Sequence, residues 1–168
     1  MTHAERDRLI QQYAEGPALL RAAWERVPEA ARQWRPAPGK WSAHEVVVHC
    51  ADSECNSVGR IRMLLADPEP RIVGYDQDRW ATVLDYHALP VEPALAAVEA
   101  VRANTLPLLA RLTDDELERM GEHSEVGAFG VKDWLRVYGE HLQVHVRQIE
   151  RNMHEHARSN NPQGQSSE

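Results

Sequence analysis

The chain has 168 residues and a formal net charge of −7, with 26 acidic and 19 basic side chains and no basic cluster. This length suits one domain with its own hydrophobic core, and an acidic chain without a basic patch is poorly suited to bind nucleic-acid phosphates. No apolar run approaches the roughly 18 residues that a membrane span needs, and no signal-peptide core is visible. We therefore expect a cytoplasmic protein that binds neither nucleic acid nor membranes.

The first predicted helix begins after Thr2, which forms a capping pattern with Glu5, and apolar residues then recur at helical spacing. Gly16 and Pro17 interrupt this pattern. Because proline has no backbone N–H to donate, we expect the helix to kink or restart there. The proline-rich segment 35–40 ends this first helical region.

The second predicted helix begins with a capping box formed by Ser42 and Glu45, and it runs from about Ala43 to about Leu65. The segment from Asp67 to Pro93 follows, with four prolines, one glycine and no strand alternation. Its length predicts a crossover that contains a short helical piece.

A polar and aromatic cluster in this crossover could cover a pocket or close the end of a helical bundle. Its members are Tyr75, Asp76, Asp78, Arg79 and Trp80.

The third predicted helix has Pro93 in its first turn, and Pro107 projects away from its apolar face. That face consists of Ala94, Val98, Val101, Leu108, Leu109 and Leu112. The helix therefore tolerates both prolines and keeps a continuous side for core packing.

Three features are predicted after the third helix. Thr113 and Glu116 form another capping box, which opens a short helix ending near Gly121. Residues 122–130 then read as a flexible loop, and a last helix runs from about Val131 to Asn152. Four long helical patterns predict an all-α four-helix bundle over residues 1–158, and the polar residues 159–168 predict a disordered tail.

Two histidines of the last helix have the spacing of a helical metal-binding pair. The apolar stripe of that helix contains Val131, Leu135, Tyr138, Leu142 and Ile149, and both His141 and His145 lie at its edge. Residues four apart on a helix are neighbours, so the two imidazoles can share one divalent ion. The same pair is also compatible with ordinary histidines that bond a carbonyl group.

The second helix offers a third candidate ligand. His49 lies beside the apolar stripe of that helix, so a site between two helices is geometrically reasonable. Asp52 could accept the free N–H of His49, or it could be a solvated surface residue. Glu54 falls within the apolar stripe and therefore needs a cation or a hydrogen-bond donor; we expect a structural role or one in orienting a ligand. Glu54 is also a weak candidate for a catalytic acid or base.

The remaining histidines are expected at solvent-exposed positions. They are His3, His44, His87, His123, His154 and His156. Cys50 and Cys55 cannot bridge within one unbroken helix, and Cys50 is expected in the core, so neither cysteine is assigned to the site.

These segments resemble one known family. The stretch WRPAPGKWSAHEVVVHCADSE, the segment YDQDRW, the turn TDDEL and the ending GVKDWLRVYGEHLQVHVRQI look like the DinB-like, damage-inducible superfamily over about residues 5–152. The resemblance implies an up-down-down-up bundle with one long crossover between the second and third helices, often dimeric. It also implies three metal ligands, His49, His141 and His145, with water or an exchangeable group completing the coordination. Some members are thiol transferases that use bacillithiol or mycothiol.

Two functions remain open at this stage. The first is a metal-dependent enzyme, either a hydrolase or a thiol S-transferase, in which three histidines hold an ion that activates water or a low-molecular-weight thiol. Zinc or nickel is the leading candidate for the ion, with manganese or iron as alternatives. The second is a non-catalytic helical module, metal-stabilised or metal-free, that takes part in a stress response. We expect a small-molecule substrate and a homodimer.

Overall fold

Four long helices dominate the computed structural model, which describes residues 1–160. In chain order the elements are α1 (His3–Glu25), a 3₁₀ turn (Glu29–Ala31), α2 (Ala43–Ala66), β1 (Arg71–Ile72), α3 (Gln77–Val83), a 3₁₀ turn (Tyr86–Ala88), α4 (Val91–Leu109), α5 (Asp114–Leu117), β2 (Met120–His123), β3 (Gly127–Gly130) and α6 (Val131–Ser159). The long helices α1, α2, α4 and α6 pack side by side, with α1 against α6 and α2 against α4. No helix within this part of the chain is long and apolar enough to cross a bilayer.

Helix α1 passes through Gly16 and Pro17 without the expected restart. Proline cannot donate to the carbonyl four residues earlier, which is that of Tyr13. Arg102 of α4 donates a hydrogen bond from Nη1 to this carbonyl instead, at 2.8 Å. A Cβ atom at Gly16 would lie 2.6 Å from the same Nη1 atom, so the glycine gives the guanidinium the space it needs. Gly16 therefore leaves the space, and Pro17 the free carbonyl oxygen, that the Arg102 side chain of α4 occupies and binds.

The predicted capping boxes of α2 and α5 are present. The Ser42 hydroxyl accepts the Glu45 N–H at 3.2 Å, and the Glu45 carboxylate accepts the Ser42 N–H at 2.9 Å. Thr113 and Glu116 form the same reciprocal pair at the start of α5. These local hydrogen bonds satisfy backbone groups that the first helical turn leaves without partners, and they fix where both helices begin.

A small three-stranded sheet was not expected from the sequence. The loop predicted at 122–130 is largely a β-hairpin, in which β2 pairs with β3, and β1 of the crossover pairs with β2 in parallel. Gly127, the first residue of β3, follows the turn with a φ of +75°, a conformation that glycine adopts readily. Strands this short show too little alternation to be recognised, and pairing with β1 is a non-local contact, so the prediction of a purely helical fold with a flexible loop was wrong here.

The predicted apolar stripe of α6 is fully buried and forms much of the core. The buried residues of α6 include Val131, Leu135, Tyr138, Leu142 and Ile149. The helix continues to Ser159, beyond the predicted end at Asn152, and no proline or glycine interrupts the added turns. Residues 161–168, most of the predicted disordered tail, lie outside the described residues.

Candidate metal centre

Three histidine side chains from two helices meet at one place. His49 comes from α2, and His141 and His145 come from α6; one nitrogen of each lies within 4.8 Å of the others. The ring centres of His49 are 5.6 Å from His141 and 4.8 Å from His145. His49 is only 2% exposed, deeper than its predicted place at the core margin. The structure thus brings together the three residues that the sequence singled out.

The proton positions on the two α6 histidines follow from their neighbours. The Nδ1 atom of His141 is buried and forms no hydrogen bond within residues 1–160, and Oε1 of Glu54 lies 3.5 Å from it, a charge contact. The Nδ1 atom of His145 lies 2.9 Å from Oε1 of Gln148. Because a carboxylate attracts an N–H group and the amide oxygen of Gln148 only accepts hydrogen bonds, we assign the proton of each neutral ring to Nδ1, which leaves both Nε2 atoms with a free lone pair.

These two lone pairs face each other, since the Nε2 atoms of His141 and His145 are 3.1 Å apart. Neither can donate to the other when both rings are neutral. The Ser53 hydroxyl, 3.4 Å from the His141 Nε2 atom, can donate to only one of them at a time. The contact between two unprotonated imidazole nitrogens at this separation becomes energetically favourable when both bind the same cation.

His49 shows a similar lack of partners. Its Nδ1 atom is buried and has no hydrogen-bond partner among residues 1–160, and its ring packs 4.6 Å from the ring centre of Trp41. An unpaired buried nitrogen costs free energy of about 1–3 kcal/mol unless a ligand satisfies it. Burial lowers the pKa of His49 to about 2 and that of His145 to about 4, with the neighbouring histidines adding to both effects. Both rings are therefore neutral near pH 7, the form that binds metal ions.

Glu54 lies behind His141 and is held by a buried arginine. Its Oε1 atom accepts a hydrogen bond from Nη2 of Arg102 at 2.6 Å, and the two side chains are 0% and 1% exposed. Arg102 also donates to the backbone carbonyls of Tyr13 and Tyr138. Burial alone would raise the pKa of the Glu54 carboxyl, but the nearby His141 ring and the hydrogen bond and charge of Arg102 outweigh it and lower this pKa. A carboxylate in this position fixes the tautomer and orientation of the His141 ring.

Arg102 is the residue that the sequence reasoning missed. It lies on α4 between the buried positions Leu95, Val98, Thr105 and Leu109, at the spacing of one helical face. A buried charge requires a partner of opposite charge. A basic residue on the apolar face of one helix and an acidic residue, Glu54, on the apolar face of another therefore indicate a buried ion pair. The two patterns together could have predicted the pair.

Asp52 does not take the role proposed for it. Its Oδ2 atom accepts a hydrogen bond from the Tyr86 hydroxyl at 2.5 Å, and His49 Nδ1 has no partner within the described residues. Asp52 is therefore neither a freely solvated residue nor a partner of His49. It ties α2 to the second 3₁₀ turn, a contact that the sequence alone does not display.

A cavity of about 500 Å³ opens beside His141. Ser53, Arg60 and Tyr138 line it from the helices, and the sheet contributes His123. The crossover residues Tyr75, Asp76 and Asp78 also line it, which agrees with a covering role for part of the predicted cluster. Burial raises the pKa of Tyr75 to about 12, so its phenol remains neutral and can donate a hydrogen bond.

Besides His156, which is partly buried against Trp34, three histidines expected in solvent are partly or largely buried instead. His123 is 8% exposed in β2, where its Nδ1 atom accepts the Glu125 N–H at 3.2 Å. His87 approaches the Ser42 hydroxyl at 2.8 Å, and His44 approaches the Leu89 carbonyl at 2.9 Å. All three are held by the unforeseen strand or by the 3₁₀ turn after α3, which explains why their surroundings were not visible in the sequence.

The cysteines follow the prediction. Cys50 is buried and Cys55 is exposed, and both are free thiols. Neither belongs to the group of side chains at this site that could hold a metal ion.

The chain is similar to proteins described as metal-dependent. YfiT of Bacillus subtilis is 28% identical over 156 residues, which cover 89% of this chain and 86% of YfiT. The solved structure of YfiT, described as a probable metal-dependent hydrolase with an unusual four-helix bundle topology, matches with a TM-score of 0.86 at 26% identity, over 94% of this chain and 90% of that one. The four-helix bundle is therefore shared with a solved relative.

A relative from another organism is also named for dependence on a metal. A protein of Oceanobacillus iheyensis, provisionally named a metal-dependent hydrolase, is 32% identical over 111 residues, or 66% of this chain. The chain spans 64% of the length of this relative and of a second one from the same organism. A family model described as the DinB superfamily matches residues 12–149. The match covers more than half of the chain, which therefore belongs to the DinB superfamily.

Proposed function

We propose that this protein is a metal-dependent enzyme in which His49, His141 and His145 hold one divalent ion. The observation that carries the proposal is the cluster of three histidines with one nitrogen of each within 4.8 Å of the others, in which the Nε2 atoms of His141 and His145 are 3.1 Å apart. Three neutral imidazoles are a ligand set that suits zinc, nickel and other transition metals. The names of the relatives support the same reading.

The ion would supply Lewis-acid chemistry, lowering the pKa of a coordinated water or thiol toward neutrality. The protein's own contribution is to hold the ligands in place. Gln148 orients His145 through a hydrogen bond at Nδ1, and the Glu54 carboxylate, 3.5 Å from the Nδ1 atom of His141, would orient that ring through its charge. Because Glu54 is paired with Arg102 and fully buried, it is positioned to orient a ligand, and it does not reach the cavity as a proton carrier. We therefore assign Glu54 an orienting role and give up the weaker catalytic assignment.

The cavity beside His141 is the proposed substrate site. It is large enough for a small molecule, and its walls combine apolar surface with hydrogen-bonding groups. Arg60 donates to the Tyr138 hydroxyl at 3.0 Å and to the Val73 carbonyl at 2.9 Å, so it braces the wall between α2, α6 and the crossover. Tyr75 and Ser53 remain available to contact a substrate.

We extend the proposal to properties that rest on the family resemblance or on the composition of the chain. Hydrolysis and transfer of a low-molecular-weight thiol are both compatible with this site. Zinc or nickel is the first choice of ion, with manganese or iron as alternatives. The proposal also includes the up-down-down-up helix order with its long crossover and a homodimer. It further includes a cytoplasmic location and the lack of nucleic-acid or membrane partners. Val137 and Val144, both about half exposed on α6, supply apolar surface that a dimer interface would use.

The experiment compares wild-type protein, purified without a histidine tag and freed of metal, with His145→Gln and with the exposed control His154→Gln. Each is loaded with zinc, nickel or manganese and assayed on aryl esters and amides, and on an activated aryl halide with a low-molecular-weight thiol. We expect activity in one assay class only after metal loading, retained in His154→Gln and lost in His145→Gln. A protein that binds metal but is inactive in both classes supports the non-catalytic module. Activity that needs no metal contradicts the proposal.

A further inference from the structure

A second cleft contains none of the three histidines of the metal centre. It has a volume of about 640 Å³ and lies where the end of α1, the 3₁₀ turn Glu29–Ala31 and the starts of α2 and α4 meet. Its walls include Trp24, Trp34, Arg32 and His44. None of these residues takes part in the proposed reaction, so the cleft calls for an explanation of its own.

Arg32 is partly buried and has one buried donor without a partner within the described residues. Its Cζ atom lies 4.9 Å from the ring centre of Trp24, yet its Nε atom is buried without a hydrogen-bond partner. Within residues 1–160 the Arg32 side chain forms no ion pair. A buried donor without an acceptor is costly, and a guanidinium presents a planar fork that matches a carboxylate.

The start of α4 adds a second positive feature to the cleft. This helix of 19 residues begins at Val91, and its N-cap residue Pro90 offers no side-chain hydrogen bond. Val91 lines the cleft, so the positive end of this helix lies at its wall, and Glu92 in the same first turn is paired with Arg21. Glu29, the one carboxylate of the lining, is exposed at the rim, where water and salt screen its charge. The net preference inside is for an anion.

Two indole rings define the shape of the ligand. Trp24 is 7% exposed and belongs to the core, whereas Trp34 is half-buried and rests edge-on against His156 at 5.4 Å. Indole faces stack well on flat aromatic rings, and the cleft volume is sufficient for a bicyclic ligand.

We propose that this cleft is a binding site for a planar aromatic carboxylate. The carboxylate accepts hydrogen bonds from the guanidinium of Arg32, near the start of α4, and the ring lies against Trp34. This site is independent of the metal centre and of the reaction proposed above.

The test uses 1-naphthoate as the probe and protein kept in chelator, so that the carboxylate cannot bind a metal ion. Calorimetric titration should give one saturable site per chain with a dissociation constant below about 1 mM. The neutral analogue 1-naphthylmethanol should bind at least about tenfold more weakly. Equal binding of the two probes, or no saturation by the carboxylate, overturns the proposal.

Variants locate the site. Arg32→Gln should weaken 1-naphthoate binding by about tenfold or more, whereas Arg26→Gln, which removes a surface arginine paired with Glu150, should leave it unchanged. His145→Gln should also bind like the wild type, which separates this cleft from the metal centre. If Arg32→Gln does not fold, Arg32→Lys keeps the charge without the fork and should still weaken binding. Unchanged affinity in the folded Arg32 variant refutes the assignment.

Discussion

Replacing Arg102 by methionine tests whether the buried ion pair holds the bundle together beneath the metal centre. Glu54 is fully buried and Arg102 is 1% exposed, so the substitution leaves a carboxylate without a counter-charge in a place that water does not reach. Removing one partner of such a pair typically costs about 3–5 kcal/mol. The Tyr13 carbonyl, which has no helical donor because of Pro17, loses its hydrogen bond as well.

The double variant Glu54→Met with Arg102→Met separates the charge from the packing. It removes both charges and leaves the Tyr13 carbonyl as the main unsatisfied group, so its expected loss is only about 1–3 kcal/mol. Urea unfolding at pH 7 in chelator measures all three proteins, and Arg26→Met, in a surface pair with Glu150, is the control with little expected effect. The reasoning is refuted if Arg102→Met costs no more than Arg26→Met, or if the double variant is less stable than Arg102→Met alone.

Three further predictions concern the same region. Gly16→Ala places a Cβ 2.6 Å from the guanidinium of Arg102 and should destabilise the protein by about 1–3 kcal/mol in urea; Gly59→Ala, with open space around it, should stabilise it slightly. The folded-state pKa values of His49 and His145 lie below the ordinary 6.5, so the unfolded chain binds more protons below that pH. The metal-free protein should therefore lose stability as the pH falls from 6.5 toward 4, by up to about 1.4 kcal/mol per pH unit for each ring. The His145→Gln variant should lose stability less steeply. Parallel plots of unfolding free energy against pH for the two proteins would contradict this. Glu54→Gln should weaken zinc binding about tenfold or more through misorientation of His141, and calorimetry that finds unchanged affinity would remove its orienting role.

Patterns of short range were readable in the sequence. The capping boxes at Ser42 and Thr113 each lie within four residues, and the apolar stripe of α6 repeats over many turns. Both patterns are present in the structure as the sequence predicted. The spacing of His141 and His145 is equally local. The position of His49 opposite them depends on the packing of two helices; its place beside the apolar stripe of α2 made it a candidate ligand, and the family resemblance named it as one.

Features that depend on distant partners were missed. Pro17 was expected to disturb α1, but Arg102 of α4 supplies the donor that proline lacks. His123 was placed in solvent because the pairing of β1 with β2, across about 50 residues, cannot be read from strands of two to four residues. Asp52 was matched to a neighbour on its own helix, whereas its partner Tyr86 comes from the crossover. Each error arose where a contact between elements outweighed a local pattern.

The most direct test of the metal centre is a crystal of untagged protein grown without chelator and exposed to zinc, with anomalous scattering recorded at the zinc edge. One peak per chain, within about 2.0–2.2 Å of a nitrogen of His49, His141 and His145, is the predicted result. A peak that excludes His49, or no peak at this place with zinc, nickel or manganese, would contradict the account.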